Sequence, residues 1–140
     1  MKAETNFNKF VNESFGEAQD GYATFFLSML GLRDQTHLFH WQTTSYAQHE
    51  AFGGFYDAYL DLVDKLAEAM IGLHGRPQFS EGEIELVSYS AESVMECMEA
   101  ARELFLGQGT QLAGDNSEIK NIIDEIIAEI DKLKYLLTLH

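Results

Sequence analysis

Histidine and carboxylate side chains that could bind a metal ion lie close together in the first half of the sequence. His37, His40 and His49 fall within 13 positions, and Asp64 and Glu68 follow 15 and 19 residues after His49. Imidazole nitrogen together with carboxylate oxygen is a ligand set that suits iron, manganese or zinc. A single histidine on an apolar face is usually a core residue, so a metal site and structural histidines are both open interpretations at this point.

Asp64 and Glu68 belong to a larger acidic side of one predicted helix. Steps of four, three and four residues place four carboxylates on that side, namely Asp57, Asp61, Asp64 and Glu68. The opposite side is apolar and is predicted to face the core; it carries Phe52, Phe55, Tyr59, Leu62, Leu66 and Met70, with Val63 and Tyr56 at its margin. The acidic side is therefore either a solvated surface or part of a metal site.

The distance along this helix decides whether one chain can form such a site. His49 and Asp64 are 15 residues apart, which corresponds to roughly 22 Å along a helix axis, so a single chain cannot bring them together. A two-fold partner running antiparallel would bring its Asp64 and Glu68 to His40 and His49 of the first chain, giving two sites per dimer. The intrachain di-iron bundle instead uses Glu-x-x-His pairs, which this sequence lacks.

The elements that must position these residues are predicted to be helices. Apolar residues recur at three- and four-residue steps almost throughout, and Pro77 is the only proline, so we expect one all-helical (all-α) domain over residues 1–140. Four long helices are predicted: A from about Asp20 to Thr43, B from a capping box at Ser45–Gln48 to about Leu73, C from about Ala91 to Leu106, and D after a cap at Asp115–Glu118. Helix D carries an apolar stripe of Ile119, Ile122, Ile126, Ile130, Leu133 and Leu137.

The links between the helices predict their arrangement in space. The A–B link is short and the C–D link is a loop over Gly107–Gly114, whereas the B–C link is long. Gly75–Pro77 ends helix B, and a capping box at Ser80–Glu83 predicts a short helix within this crossover. An antiparallel pair, a crossover and a second pair form the ferritin-like arrangement of a four-helix bundle.

Helix A is apolar on two sides. One broad face carries Tyr22, Phe26, Met29, Leu30, His37, His40 and Trp41. Phe25, Leu32 and Phe39 form a second line at seven-residue steps. Since a helix that is apolar on two sides is usually covered on both, we expect part of this surface to contact another subunit.

Composition and charge exclude several classes of function. The 140 residues include 9 Lys and Arg against 23 Asp and Glu, for a formal net charge of −14. Such a chain repels a phosphate backbone or an anionic lipid surface, so neither DNA binding nor membrane binding is expected. The sequence has no apolar stretch long enough to span a membrane, no signal peptide and a single cysteine, Cys97, which together predict a cytoplasmic protein without disulfides.

Several motifs resemble the successive signatures of the Dps family, the mini-ferritins. They are His37-Leu-Phe-His40-Trp41, His49-Glu-Ala-Phe52 with Tyr56, Asp64-Lys-Leu-Ala67-Glu68, and Gly75-Arg76-Pro77. From His49 to Pro77 the spacing matches that family without a gap. The resemblance covers residues 37–77, whereas helices C and D agree only in pattern.

The resemblance implies an iron-oxidising and iron-storing protein. It implies a hollow dodecameric shell built from two-fold dimers, in which Fe(II) is oxidised between subunits, typically by peroxide, and stored as a ferric mineral. His40 and His49 correspond to the two histidine ligands of one subunit. Asp64 and Glu68 correspond to the carboxylate ligands from its partner, and Trp41 to the tryptophan beside the centre. Iron is therefore the expected metal, and zinc or manganese suits the same ligands.

The sequence departs from the family pattern at three points. The family has an aspartate four residues after its second histidine, where this chain has Gly53. The turn after Trp41 is shorter and lacks the family's glycine, and the N-terminal segment contains only Lys2 and Lys9 in place of a basic tail. With one carboxylate fewer, we expect about one tightly bound divalent ion per two-fold site, and tighter binding of a second ion in Gly53→Asp.

Two other functions fit the same residues. The chain could form a ferritin-like shell with a degenerate, non-catalytic site for divalent metal. It could also be a helical interaction module that binds a different protein through the second apolar face of helix A. A dodecamer that retains iron would indicate a mini-ferritin, an iron-free dodecamer the degenerate shell, and a monomer or dimer the interaction module.

Overall fold

The structure, a computed structural model, describes residues 21–139 and is predominantly helical. The helices in chain order are α1 (Gly21–Gln42), α2 (Tyr46–His74), α3 (Ala91–Leu104), α4 (Thr110–Ala113) and α5 (Ser117–Leu136), and a π-helical turn, Phe105–Gly109, joins α3 to α4. No strand occurs between residues 21 and 139, so the predicted all-helical fold is confirmed for this part of the chain. The predicted start of helix A at Asp20 lies outside the described residues, as do Lys2 and Lys9.

The four long helices pack around one apolar core. α2 lies against α1 and α5, and α3 contacts both α1 and α5. The predicted core face of helix B is confirmed, except that Val63 is buried and Leu62 only half-buried. The seven-residue line of helix A faces the core, because Phe25, Leu32 and Phe39 are fully buried. An interaction module that binds through this second apolar face is therefore wrong, since the face is already covered by the chain itself. The stripe of helix D is also confirmed: its members are buried, apart from the half-buried Leu137.

The turn between α1 and α2 is capped by Ser45. The Ser45 hydroxyl oxygen accepts a hydrogen bond from the backbone N–H of Gln48 at 3.2 Å, which is the predicted N-cap interaction. The reciprocal half of the predicted capping box is replaced by another partner. The N–H of Ser45 donates to the hydroxyl of Thr43, and that hydroxyl donates to Gln48 Oε1 at 2.8 Å. The three polar side chains fix the tight turn from which both helices extend.

The crossover over residues 75–90 contains no helix, so the short helix predicted at Ser80–Glu83 is wrong. The crossover begins beside the start of α1, where the Tyr22 hydroxyl donates to the carbonyl of Gly75, and ends beside the end of α1, where the N–H of Tyr89 donates to Gln42. Tyr22 and Gln42 are about 30 Å apart along α1, whereas the 14 residues from Gly75 to Tyr89 would span only about 21 Å as a helix. An extended path is therefore needed.

The predicted loop over Gly107–Gly114 is also wrong, because the chain continues there as the π-helical turn and α4. Phe105 is fully buried, and a Cβ added to the buried Gly109 would lie 3.5 Å from Phe25 and Ile123. Packing of this turn against the core overrides the low helix propensity of its glycines. The helical path ends at Gly114, whose φ of +57° favours glycine.

The last long helix, α5, is capped within the predicted segment Asp115–Glu118. The side chain of Asn116, and not that of Asp115, accepts from the N–H of Ile119 at 2.9 Å. No helix in the described part of the chain is long and apolar enough to cross a membrane.

Candidate metal centre

The structure brings His40 and His49 together at the end of the bundle where α1 ends and α2 begins, which we call the histidine end. The two imidazole rings stack with their centres 3.7 Å apart and their planes 18° apart. The Nδ1 atom of His40 lies 2.6 Å from the backbone carbonyl oxygen of His49, and the Nδ1 atom of His49 lies 2.9 Å from that of His40. Each histidine is thus held by the backbone of the other.

These two contacts require a proton on the Nδ1 atom of each ring. A carbonyl oxygen only accepts hydrogen bonds, so each Nδ1 must carry a proton and donate it. In the neutral imidazole, the Nε2 atom then has a free lone pair, and no hydrogen bond joins either Nε2 atom to residues 21–139. Histidines that bind metal commonly donate their other N–H to a backbone carbonyl in this way. The rings of His40 and His49 are both half-buried, so water and ions can reach them.

Gly53 lies directly against this histidine pair. A Cβ atom added at Gly53 would come within 3.2 Å of Cε1 and 3.4 Å of Nδ1 of His40. The neighbouring Gly54 has no atom within 4 Å of its corresponding position. The glycine at position 53 therefore provides space for the stacked ring of His40. This is a packing reason for having glycine where the mini-ferritin pattern has aspartate.

Three further aromatic side chains lie beside the pair. His37 lies between Trp41 and Tyr56, with ring centres 4.2 Å and 4.3 Å away. Tyr56 also meets the ring of His40 edge-on at 5.3 Å. Trp41 is 68% exposed, so it is a surface residue and not part of the core.

The predicted carboxylate ligands do not join the histidines within one chain. Asp64 and Glu68 are exposed and lie several turns along α2 from His49. In the part of the chain that the structure describes, no three His, Cys, Asp or Glu side chains form a group that could hold a metal ion. The structure thus brings together His37, His40, His49 and Trp41, but not the acidic residues.

Asp64 lies instead at a groove between α1 and α2. The groove is lined by Phe26, Met29, Leu30, Arg33, Leu60, Val63, Asp64 and Ala67. Its lining is mostly apolar, and Leu30 and Leu60 are 44% and 45% exposed. The groove includes Phe26, Met29 and Leu30 of the broad apolar face of helix A, and the sequence predicts that part of the apolar surface of this helix contacts another subunit.

Two titratable groups in the core take no part in this site. Burial raises the pKa of the Cys97 thiol to about 12, so Cys97 stays protonated at neutral pH and offers no thiolate ligand. Burial also raises the pKa of Tyr59 well above its usual value, and its hydroxyl donates to the backbone carbonyl of Met29 at 2.8 Å. Both side chains are structural.

Two features of the site could not be recognised from the sequence alone. The role of Gly53 depends on a contact with His40 on another helix, whereas the sequence shows only that a glycine pair lies within a predicted helix and that Gly53 stands where the mini-ferritin pattern has an aspartate. The sequence puts Tyr56 at the margin of the core face and in a motif that resembles the mini-ferritins, but neither predicts that its ring contacts two histidines of α1.

The fold and the site define a helical protein with a carbonyl-held histidine pair at one end of its bundle. By its sequence, the chain belongs to a Family of unknown function (DUF5856), whose family model matches residues 40–137. The matched range contains His40, His49, Asp64 and Glu68. No curated protein and no solved structure matches the chain significantly.

Proposed function

We propose that the chain is a ferritin-like protein of the mini-ferritin (Dps) type, which oxidises Fe(II) at sites shared by two subunits and stores ferric iron in a hollow dodecameric shell. The observation that carries this proposal is the histidine pair. His40 and His49 each donate Nδ1–H to the other's backbone carbonyl, which leaves two Nε2 lone pairs in fixed positions. Held imidazoles with a free Nε2 are suited to bind a divalent transition metal.

The path of the chain supports the ferritin-like arrangement. α1 and α2 form a hairpin joined at the histidine end, and the crossover returns from the far end of α2, beside Tyr22, to the histidine end, beside Gln42. α3 therefore starts at the same end as α2. One hairpin, a long crossover and a second helix pair form the topology of ferritin-like bundles.

The groove that contains Asp64 supports a subunit contact. Exposed apolar side chains such as Leu30 and Leu60 would be covered there by a second copy. In a two-fold, antiparallel dimer of α1–α2 surfaces, Asp64 and Glu68 of one subunit would lie beside His40 and His49 of the other. Each site would then have two imidazoles and two carboxylates, and the incomplete site of the single chain would be closed.

The chemistry requires only positioning and charge from the protein. Neutral imidazoles and carboxylates hold Fe(II) with open coordination positions, and Fe(II) loses one electron to peroxide or dioxygen. No protein nucleophile is needed. The net charge of −14 favours accumulation of the cationic substrate.

The test compares carboxylate variants of α2. Because Asp64 and Glu68 are exposed in the single chain, we expect Asp64→Ala and Glu68→Ala to leave helicity unchanged, and light scattering on the same samples checks that the assembly mass is retained. Fe(II) oxidation, followed optically, should fall by about tenfold or more, as is typical when a ligand or its support is removed. Asp61→Ala is the matched control, since Asp61 is an exposed carboxylate of the same helix and should retain activity.

The same samples separate the alternatives. Wild-type oxidation in Asp64→Ala or Glu68→Ala would contradict the proposed site. A stable monomer of the 15.8 kDa chain, measured by light scattering, would contradict the shell and favour a helical interaction module that binds another protein at the exposed groove with Leu30 and Leu60. A dodecamer that neither oxidises nor retains iron would indicate the degenerate shell.

A further inference from the structure

His37 is a third imidazole beside the histidine pair, and its ring nitrogens have no hydrogen-bond partner among residues 21–139. In the same part of the chain no side-chain nitrogen or oxygen is both buried and unpaired, so solvent reaches the nitrogens of the half-buried His37. Contacts with Trp41 and Tyr56 on either side hold the ring in place. His37 thus combines a fixed ring with nitrogens that are free to bind an ion.

The stacking of His40 on His49 prevents these two rings from sharing one ion. A metal ion lies close to the plane of the imidazole that binds it, because the lone pair of a ring nitrogen points outward in that plane. The two planes are inclined by only 18° with ring centres 3.7 Å apart, so they meet about 10 Å from the rings, whereas a metal–nitrogen bond is about 2.1 Å long. In this arrangement His40 and His49 bind different ions.

His37 and His40 are not subject to this restriction. They are three residues apart on α1 and therefore lie on one face of the helix. Their ring planes are inclined by 57°, and their ring centres are 6.0 Å apart. An ion about 2.1 Å from a ring nitrogen lies about 3.2 Å from the centre of that ring, so two imidazoles that share an ion have centres up to about 6.4 Å apart. The observed separation is within that limit.

The number of ligands then decides which ion is held tightly. The chain has Gly53 in place of a carboxylate, which limits each two-fold site to about one tightly bound ion. His37 gives the ion at His40 a second nitrogen ligand, whereas His49 gives its own ion only one. The tightly bound ion should therefore lie at His37 and His40, and the weakly bound ion at His49.

We infer that His37 is a metal ligand, which binds the tightly held ion together with His40 and a carboxylate of a second subunit. This inference rests on the proposed function and deepens it, because it divides the shared site into a two-imidazole position and a one-imidazole position. Asp64 and Glu68 of the partner subunit supply the carboxylate oxygens. Two imidazole nitrogens with carboxylate oxygens suit a divalent transition metal such as Fe(II) or Co(II).

Binding of Co(II) to the full chain, without an oxidant, tests the inference. The visible absorption of Co(II) changes with the number of nitrogen atoms that bind it. His37→Phe removes both ring nitrogens and keeps an aromatic ring between Trp41 and Tyr56. We expect the wild type to bind about one Co(II) per chain tightly. In His37→Phe the dissociation constant of this ion should rise about tenfold or more, and its absorption should change.

His49→Phe is the matched comparison, because it also removes one imidazole and keeps a ring against His40. The tight Co(II) should keep its absorption and nearly all of its affinity in this variant, whereas the weak Co(II) should be lost. His74→Phe is the control, since His74 is exposed at the other end of α2 and should affect neither ion. Loss of the tight ion in His49→Phe but not in His37→Phe would overturn the inference.

Chemical modification of the wild type gives a readout that needs no variant. Diethyl pyrocarbonate acylates imidazole nitrogens that have a free lone pair, and tandem mass spectrometry of peptides locates the modified histidines. One Co(II) per chain should protect His37 and His40 while His49 still reacts. Protection of His40 and His49 with His37 still reactive would overturn the inference, even where a variant fails to fold.

The inference and the proposed function fail in different ways. If the wild type binds no Co(II) tightly, both are overturned. If it binds one tight Co(II) that His37→Phe binds equally well, with helicity and assembly mass retained, only the inference is overturned. If Co(II) binds as expected but Fe(II) is not oxidised, the proposed function fails and His37 is still a ligand.

Discussion

At the scale of single residues, Gly53 and His40 form one unit. A side chain at position 53 would begin 3.2 Å from the His40 ring, closer than most real contacts. An aspartate there would add a carboxylate and at the same time displace an imidazole that is held by the carbonyl of His49. The tighter second ion expected for Gly53→Asp therefore requires His40 to move without losing its hydrogen bond.

The close contact predicts opposite effects of alanine at two adjacent glycines. Gly54 is exposed with open space around its Cβ position, so Gly54→Ala should raise the free energy of unfolding by about 1 kcal/mol through helix propensity. Gly53→Ala gains the same propensity but presses on His40, so its net effect should be near zero or destabilising. Urea denaturation of both variants measures the difference.

Gly53→Ala and Gly54→Ala serve as controls for each other, because both substitutions add the same methyl group to adjacent positions of α2. Ultraviolet resonance Raman signals of histidine should change in Gly53→Ala and not in Gly54→Ala, since only the first touches a ring. If both alanine variants raised the free energy of unfolding equally, the His40 ring would not depend on the space that Gly53 provides.

At the scale of elements, periodicity predicts the faces of long helices well. The core sides of α2 and α5 follow from three- and four-residue steps, because burial of an apolar stripe depends only on local geometry. The short helix within the crossover and the loop over Gly107–Gly114 are wrong predictions. The path of the crossover depends on the distance between helix ends. The path of the second segment depends on the packing of Phe105 and Gly109 against residues that are distant in sequence. A local sequence pattern gives neither the distance nor these contacts.

The candidate site, like the helices, could be predicted only in part from the sequence. His40 and His49 are nine residues apart across a tight turn, so their proximity follows from the hairpin that the sequence indicates. Their mutual carbonyl contacts and the stack on Tyr56 depend on how α1 and α2 are rotated against each other. The rotation of α1 against α2 is determined by the packing of the whole core, so it cannot be predicted from individual residues of the sequence.

The crossover offers a prediction about the element that closes the bundle. The amide of the buried Gln35 both donates to the carbonyl and accepts from the N–H of Val87, each at 2.8 Å. Gln35→Ala leaves these backbone groups without their partners, so unfolding free energy should fall by about 2 kcal/mol. Urea denaturation checks the value.

Gln42→Ala is the control for that experiment. Gln42 also binds the crossover, through the N–H of Tyr89, but it is exposed and water can replace it. Its loss should change stability by about 0.5 kcal/mol or less. If Gln35→Ala were as mild as Gln42→Ala, the buried amide would not be what holds the crossover in place.

At the scale of the whole molecule, the charge of −14 sets which partners can approach. A phosphate backbone is repelled, and no run of basic residues offsets the repulsion locally. We expect no gel shift of duplex DNA at about 0.15 M salt when divalent metal is chelated. A shift that persists in chelator would contradict this expectation, whereas one that needs metal would reflect bridging by the ion.

Assembly into two-fold dimers gives the sharpest prediction for the whole molecule, because each site would take its histidines from one chain and its carboxylates from the other. His49→Ala and Asp64→Ala should each be inactive alone. In a mixed dimer, one site combines both defects and the other combines intact His40 and His49 with intact Asp64 and Glu68. Random co-assembly makes about half of the dimers mixed, so about a quarter of all sites should regain Fe(II) oxidation.

Co-expression of the two variants with different affinity tags, followed by tandem purification, measures this complementation. Glu68→Ala co-expressed with Asp64→Ala is the matched control, because both changes remove carboxylates from the same side of a site. In their mixed dimers each site still lacks one carboxylate, so activity should not return. Recovery in the first pair but not in the second requires that the site be shared between chains. No recovery in either pair, with the assembly mass unchanged, would show that the histidines and carboxylates do not meet across a subunit interface.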